Sequence, residues 1–269
     1  MPRPMSEPGS APLVLLSNDD GYASAGIGAM RSALARAGAE VVVLAPENEQ
    51  SASSHALSLH RAMRLRSVEP GVFALDGTPA DCVYVALHAG TRVLPRKPEV
   101  VVSGINHGMN LGQDAFYSGT IAAAREGALR GIPALAVSAH PSLDLGVVAA
   151  LAARLAFELR SERGPARSSV TRGVLISLNV PEAWTGDVRA TRLGARIYDE
   201  IVDFRRDPRG REYLWLGGPS VRHERDPGTD TDAYDDGAAS ITRLSLDLTN
   251  PGDAEAMTAL AARAVAKQA

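Results

Sequence analysis

The chain has 269 residues, of which 45% are hydrophobic and 22% charged, the composition of a globular protein large enough for a full core. Its net charge of -3 gives no sign of binding to a long nucleic acid or an anionic membrane, and no apolar run approaches the ~20 residues of a membrane span. The single cysteine, Cys82, excludes an internal disulfide and predicts a buried, inert thiol. Residues 1–11 predict a flexible tail without a secretory signal, and hence a cytoplasmic protein.

Apolar segments typical of buried strands alternate with helical patterns over residues 12–180. We predict strands at about 12–17, 41–46, 99–104 and 133–139, a hairpin or short strands over 56–76, a helix that ends near Gly38, and a helix from Pro79 capped by Thr78. This alternation predicts a doubly wound, mostly parallel α/β sheet of the Rossmann-like type. Residues 12–180 are therefore interpreted as the catalytic core.

Shorter alternating segments follow residue 180, with turn signals at 207–210 and 217–219. They predict antiparallel hairpins over residues 181–250 that return to the core, either as a small lobe or by exchange with a neighbouring subunit. Residues 251–269 predict a capped C-terminal helix. The acidic run 226–236 lacks the ligand spacing of a calcium loop and is interpreted as a solvated loop.

Two adjacent carboxylates, Asp19 and Asp20, follow the first predicted strand directly. Open α/β sheets bind ligands at the carboxyl ends of their strands, and two like charges at one place favour a divalent cation. Alternatively, Asn18, Asp19 or Asp20 only caps the next helix. The pair by itself leaves both interpretations open.

Two further loops follow predicted strands and can converge on this pair. Residues 47–55 offer hydroxyl groups, among them that of Ser51, or are simply a solvated loop. Residues 103–112 contain three glycines together with Asn106 and Asn110. Because this loop begins at a strand end, we also count Ser103 and Gly104 among the candidate substrate-binding residues.

A third candidate segment comprises Ser118, Gly119 and Thr120, directly before a helical run. Unpaired amides at a helix N-terminus favour an anion, although the segment can equally be an N-cap and nothing more. A cation end and an anion end in one site are what hydrolysis of a phosphoester needs. The two lysines follow no glycine-rich turn, which argues against a P-loop. A non-catalytic nucleotide sensor on the same scaffold is the competing function.

Five segments resemble the hallmark segments of the SurE (survival protein E) nucleotidases. In chain order they are LLSNDDG, AP with Ser51 after it, GTPADCV, VVSGINHGMNLG and YSGTIAAAREG, and they span residues 13–138. The resemblance implies a metal-dependent phosphomonoesterase that acts on nucleoside 5′- or 3′-monophosphates through a metal-activated water. It also permits polyphosphate or short oligonucleotides as substrates, and it implies a homodimer or homotetramer with exchanged C-terminal hairpins.

Matched residue by residue, the resemblance implies one Mg²⁺ or Mn²⁺ held by Asp19, Asp20, Ser51 and Asn106. Asp19 or Asp20 is then the expected base. The expected phosphate contacts come from a second group of residues, namely Asn110, Ser118, Gly119 and Thr120. Ala52 stands where the family usually has glycine. His55, His60 and His107 flank the expected site, and His107 is the best candidate among them for moving a proton.

Overall fold

The computed structural model describes residues 11–162, 166–167, 170–171, 173–199, 201–217 and 220–266. The predicted tail therefore lies outside the described residues except for Ala11. The helices are α1 (Ala25–Arg36), α2 (Pro79–His88), α3 (Gly119–Leu129), α4 (Leu145–Leu159), α5 (Asp230–Asp235) and α6 (Ala254–Ala266). The strands are β1 (Leu13–Ser17), β2 (Glu40–Pro46), β3 (Leu65–Glu69), β4 (Val72–Leu75), β5 (Val100–His107), β6 (Ala134–Ala139), β7 (Ala166–Arg167), β8 (Val170–Thr171), β9 (Leu175–Val180), β10 (Val188–Thr191), β11 (Arg196–Tyr198), β12 (Val202–Arg206), β13 (Glu212–Leu216), β14 (Val221–His223) and β15 (Ala239–Leu244).

The main sheet has the strand order β10-β15-β9-β6-β5-β1-β2-β4-β3. The strands from β9 to β4 are all parallel to their neighbours, whereas β15 and β3 run antiparallel to β9 and β4. Helices cover both faces of the sheet, as the continuous apolar run of β1 predicts. Leu13 and Leu15 pack on the side of α2 and α3, whereas Val14 and Leu16 pack on the side of α1 and α4. The predicted α/β class is confirmed.

Residues 181–250 divide between the main sheet and projecting hairpins. Strands β10 and β15 extend the main sheet, while β12 pairs with β13 and β11 with β14 in separate antiparallel ribbons. The turn predicted at 207–210 joins β12 to β13, and Gly218 and Pro219 of the other turn lie outside the described residues. Among the described helices, none has the length and apolar character to cross a membrane. Cys82 is buried in α2, which raises the pKa of its thiol.

The acidic run 226–236 is not a solvated loop, and that prediction is wrong. Helix α5 begins within it, capped by Thr229, and the Asp230 side chain is fully buried. Burial raises the pKa of Asp230, while its carboxylate accepts backbone N–H bonds from Gly112 at 2.9 Å and Gly194 at 2.7 Å. These two bonds satisfy the buried carboxylate, which explains how an acidic residue can lie in the interior.

Candidate active site

A cleft of about 920 Å³ opens at the carboxyl ends of β1, β2, β5 and β6. The four residues expected to hold a metal all line this cleft, although they come from three separate strand ends. They are Asp19, Asp20, Ser51 and Asn106. Ser118 and Asn110, expected to contact phosphate, line the same cleft. The position agrees with the general rule that parallel sheets bind ligands beyond their strand ends.

Asp19 is held against the N-terminus of α3. Its Oδ1 accepts a 2.5 Å hydrogen bond from Thr120 Oγ1, and the backbone N–H of Thr120 also donates to the carboxylate. Burial is the main cause that raises the pKa of Asp19 to about 6, with a further increase from the charge of Asp20. The hydroxyl bond opposes this rise but does not cancel it, so the surroundings of Asp19 disfavour its charged form.

Asp20 is less deeply placed than Asp19 and is oriented by the end of β5. Burial raises its pKa, and the nearby charge of Glu49 adds to the rise, whereas a backbone N–H bond from His107 lowers it. In the described part of the chain, no lysine or arginine forms an ion pair with Asp19 or Asp20. Among the described residues, no lysine or arginine therefore neutralises the pair, although the charge of His107 lowers the pKa of Asp20.

Gly119 gives Asp19 the space it occupies. A methyl group at position 119 would lie 2.9 Å from Asp19 Cβ and 3.0 Å from Asp19 Oδ2. It would also lie 2.9 Å from Ser53 Oγ, a buried hydroxyl without a hydrogen-bond partner among the described residues. Glycine therefore lets the loop after β2, the end of β1 and the start of α3 meet at one point.

The loop that carries Ser51 is folded tightly at the cleft. Ser51 is exposed, and its Oγ donates to Glu49 at 2.6 Å. Ala52 has a φ of 55°, in the left-handed region that favours glycine. This backbone conformation explains why a glycine suits position 52. In this chain, alanine adopts the left-handed conformation there.

Asn106 reaches the cleft through an irregularity in β5. The register between β5 and β6 shifts after Ser103, so that Asn106 pairs with Ser138. Gly104 permits this course because its φ is 121° and a Cβ there would lie 2.3 Å from the Val137 carbonyl oxygen. The Asn106 amide donates to Gly108 O at 2.9 Å through Nδ2, which leaves Oδ1 as the oxygen available to a ligand.

The expected substrate-binding residues fall into two groups. Ser118 and Asn110 line the cleft, whereas Ser103, Gly104, Gly119 and Thr120 are buried beneath its surface. Ser118 Oγ accepts from Ile121 N at 3.1 Å as the N-cap of α3, and its hydroxyl proton remains to donate. The Thr120 hydroxyl already donates to Asp19.

Several residues that line the cleft carried no signal in the sequence. Asp114 accepts from Tyr198 Oη at 2.6 Å and from Arg196 Nη1 at 2.5 Å, so β11 closes one side of the cleft. Burial, followed by the bond to Asp114, raises the pKa of Tyr198 to about 12. His140 lies on the wall after β6, where its Nδ1 is 2.9 Å from Ser142 Oγ. The one sequence signal for placing His140 in the cleft is its position directly after β6, at the carboxyl end of a strand.

The donor set fits a hard divalent cation. Two carboxylates, one hydroxyl and one amide oxygen are the oxygen ligands that Mg²⁺ or Mn²⁺ accepts. Over the described residues there is no group of three or more His, Cys, Asp and Glu side chains that could hold a metal. A cation at this cleft would therefore depend on the neutral oxygens of Ser51 and Asn106 as well as on the carboxylate pair.

Comparison with known proteins identifies the family. A family model described as "Survival protein SurE" matches residues 14–200. The protein named 5'-nucleotidase SurE from Sorangium cellulosum is 60% identical, and the alignment covers 88% of this chain and 91% of that relative. The chain belongs to the SurE family.

Two other SurE proteins support the same assignment. The protein named 5'-nucleotidase SurE from Anaeromyxobacter dehalogenans is 49% identical, with 88% of this chain and 91% of the relative covered. The crystal structure of the Sure protein from Aquifex aeolicus superposes with a TM-score of 0.76 at 34% identity, covering 93% of this chain and 99% of that one. These matches confirm the predicted family, the predicted fold and the prediction that the chain is an enzyme.

Proposed function

We propose that this SurE protein is a metal-dependent phosphomonoesterase that releases phosphate from nucleoside 5′-monophosphates and from 3′-monophosphates. The name of its relatives, 5'-nucleotidase SurE, supports the 5′ substrate. The observation that carries the proposal is the 2.5 Å bond between Thr120 and Asp19, because it joins to the start of α3 a pair of carboxylates that has no lysine or arginine partner among the described residues. A cation-binding end and an anion-binding end are thereby adjacent.

One Mg²⁺ or Mn²⁺ would be held by Asp19, Asp20, Ser51 and Asn106. When bound, such a cation neutralises charge on the phosphate and makes a water molecule more acidic. Thr120 orients Asp19, and the backbone N–H of His107 orients Asp20. The protein thus fixes both carboxylates before substrate arrives, which keeps reorganisation small during the reaction.

The phosphate oxygens would be bound by the hydroxyl of Ser118 and the amide of Asn110, which line the cleft, and by the N–H of Gly119 at the start of α3. Ser118 and Gly119 begin α3, whose N-terminus favours negative charge. Asn110 is fixed because its Nδ2 donates to Ser138 Oγ at 2.8 Å. Ser103 and Gly104 support this arrangement from below, by shaping the end of β5 that presents Asn106.

Hydrolysis would proceed by direct attack of water on phosphorus, without a phosphorylated enzyme. The water oxygen forms a bond to phosphorus, its proton passes to Asp19 or Asp20, and the ester P–O bond breaks. The leaving oxygen of the nucleoside then takes up a proton. His107 and His140 both line the cleft and are the candidates to supply that proton.

We further propose a cytoplasmic homodimer or homotetramer whose subunits exchange C-terminal hairpins. The β12–β13 ribbon supports this, because it presents large apolar side chains to solvent, including Phe204, Leu214 and Trp215. A larger assembly would bury them.

The deciding experiment is a phosphate-release screen over nucleoside 5′- and 3′-monophosphates, polyphosphate and short oligonucleotides, with Mg²⁺, Mn²⁺, Co²⁺ or EDTA. We expect release from nucleoside monophosphates that EDTA abolishes. Asp19→Asn should lose more than the roughly 100-fold that removing an outer partner of a metal ligand costs. Asp203→Asn, an exposed aspartate in β12, is the matched control and should keep its activity. Metal-dependent nucleotide binding without phosphate release would instead identify a sensor.

A further inference from the structure

The loop that carries Ser51 is held in a conformation that its own residues disfavour. Ala52 has a φ of 55° and Ser54 a φ of 51°, so two residues with side chains lie in the left-handed region within three positions. This region costs free energy for every residue except glycine. Such a backbone persists only where surrounding contacts fix it.

Two sets of contacts, made by the backbone and by the Ser54 hydroxyl, tie the loop to the cleft. At its start, Gln50 N donates to Asp19 O at 2.8 Å. At its end, Ser54 N donates to Tyr117 O at 3.0 Å and Ser54 Oγ donates to Phe116 O at 2.7 Å. The first contact is made to Asp19 itself, which is an expected site residue. The second set is made to Phe116 and Tyr117, which directly precede Ser118, another expected site residue.

A third contact comes from a side chain that the reaction itself does not use. His55 Nε2 lies 2.9 Å from Glu126 Oε2, and Glu126 is in α3, with only 2% of its side chain exposed. The other carboxylate oxygen of Glu126 lies 2.8 Å from Arg130 Nη2. A buried carboxylate is costly unless it is paired, so Glu126 has a strong preference for keeping His55 in place.

We propose that the His55–Glu126 contact is a positioning clamp that holds the left-handed loop closed and thereby places Ser51 beside Asp19 and the start of α3. The proposal rests on the proposed function, in which Ser51 is a metal ligand. His55 and Glu126 are positioning residues here, since neither lines the cleft. The clamp links the loop after β2 to α3, and the N-terminus of α3 also holds Asp19. The positions of Ser51 and Asp19 therefore both depend on α3.

The test compares His55→Ala with the wild type in metal-free protein. We expect His55→Ala to bind Mn²⁺ up to about tenfold more weakly by calorimetry or electron paramagnetic resonance, because direct partners of metal ligands contribute at least tenfold and His55 acts on Ser51 only through the loop. Hydrogen exchange, with no metal present, should become faster at the amides of Gln50, Ser53 and Ser54. His55→Gln should restore both readouts, since its amide retains a donor that can reach Glu126.

A matched control is His223→Ala. His223 Nδ1 lies 2.7 Å from Asp235 Oδ1, so it forms a His–carboxylate pair of similar length outside the cleft. This variant should leave Mn²⁺ affinity and loop exchange unchanged. An equal effect of both alanine variants would overturn the clamp, because it would show a general loss of stability. If His55→Ala does not fold, His55→Asn replaces it, since its shorter amide does not reach Glu126.

A second variant tests whether the clamp acts against backbone strain. Glycine at position 52 accepts a φ of 55° without penalty, so Ala52→Gly removes part of the strain that the clamp opposes. The loss of Mn²⁺ affinity from His55→Ala should therefore be smaller in the Ala52→Gly background. Equal losses in both backgrounds would contradict the proposal.

The outcomes separate this inference from the proposed function. If the wild-type protein binds no Mn²⁺ and releases no phosphate, the proposed function is wrong. If the wild type does both, and His55→Ala equals it in Mn²⁺ affinity and in loop exchange, the clamp alone is wrong.

Discussion

The two walls of the cleft are built differently. On one wall, Asp19 is 5% exposed and Ser118 6%, and both are fixed by bonds to α3 or within it. On the other wall, Leu216 is 79% exposed and Tyr198 37%, and both come from hairpins after residue 181. We therefore expect the chemistry to depend on the buried wall and the choice of nucleoside to depend on the exposed one. The second wall can then vary without disturbing the first.

Among variants that keep the Asp19 carboxylate, the largest effect should come from crowding the buried wall. Gly119→Ala places a methyl group 2.9 Å from Asp19 Cβ, closer than carbon atoms approach without repulsion. We expect phosphate release to fall by about 100-fold, as when a partner of a metal ligand is lost. Steady-state kinetics measure the loss, and the thermal midpoint shows whether the fold persists.

Gly28→Ala is the matched control for this prediction. Gly28 also lies in a helix, α1, but a Cβ there meets no atom within 4 Å. We expect it to keep its activity and to gain about 0.5–1 kcal/mol of stability, the usual difference between alanine and glycine in a helix. Full activity in Gly119→Ala would contradict this prediction, because it would show that the Asp19 side chain can shift without loss of phosphate release.

A smaller effect should follow from removing one bond of the same wall. Thr120→Val keeps the shape of the side chain but removes the hydroxyl that donates to Asp19 at 2.5 Å. We expect kcat/KM and Mn²⁺ affinity to fall by about tenfold. Thr120→Ser keeps the hydroxyl, so it should retain most of the activity. Full activity and unchanged Mn²⁺ affinity in Thr120→Val would show that this bond is not needed.

The smallest effect should come from the exposed wall, and it should depend on the substrate. Leu216→Ser removes an exposed apolar surface beside the cleft. We expect KM for AMP to rise by less than the roughly tenfold that a missing contact in an enclosed apolar pocket costs, because Leu216 is largely exposed. The kcat/KM for p-nitrophenyl phosphate, which has no nucleoside, should stay the same. An equal change in kcat/KM for AMP and for p-nitrophenyl phosphate would contradict the expectation that the exposed wall contacts the nucleoside.

The arrangement of strand ends could be predicted from the sequence. Asp19, Asp20, Ser51 and Asn106 each follow or end an apolar run, and parallel strands bring such positions to one edge of a sheet. The cap at Thr78 was equally readable, because Pro79 and Asp81 supply the local signals of a helix start, and the structure has the full capping box. These predictions depend on short-range patterns.

The remaining features depend on partners that are distant in sequence. The sequence did not show that Thr120 would donate to Asp19, 101 positions away, or that Asp230 would accept from Gly112, 118 positions away. For the same reason, α5 was misread as a solvated loop. Acidic residues predict exposure until the backbone donors that bury one of them are known.

Strand β15 shows that the main sheet extends further along the chain than the segment matched by the family model. The match ends at residue 200, yet β15 (Ala239–Leu244) lies between β9 and β10 in the main sheet. In a shortened protein that ended at residue 200, β9 would still pair with β6, but its other edge would lose the partner that β15 provides over Leu175 to Asn179. Unpaired edges recruit other chains, so such a fragment would tend to self-associate rather than remain a smaller working enzyme. For protein engineering, the smallest useful unit of this chain therefore extends at least through Leu244.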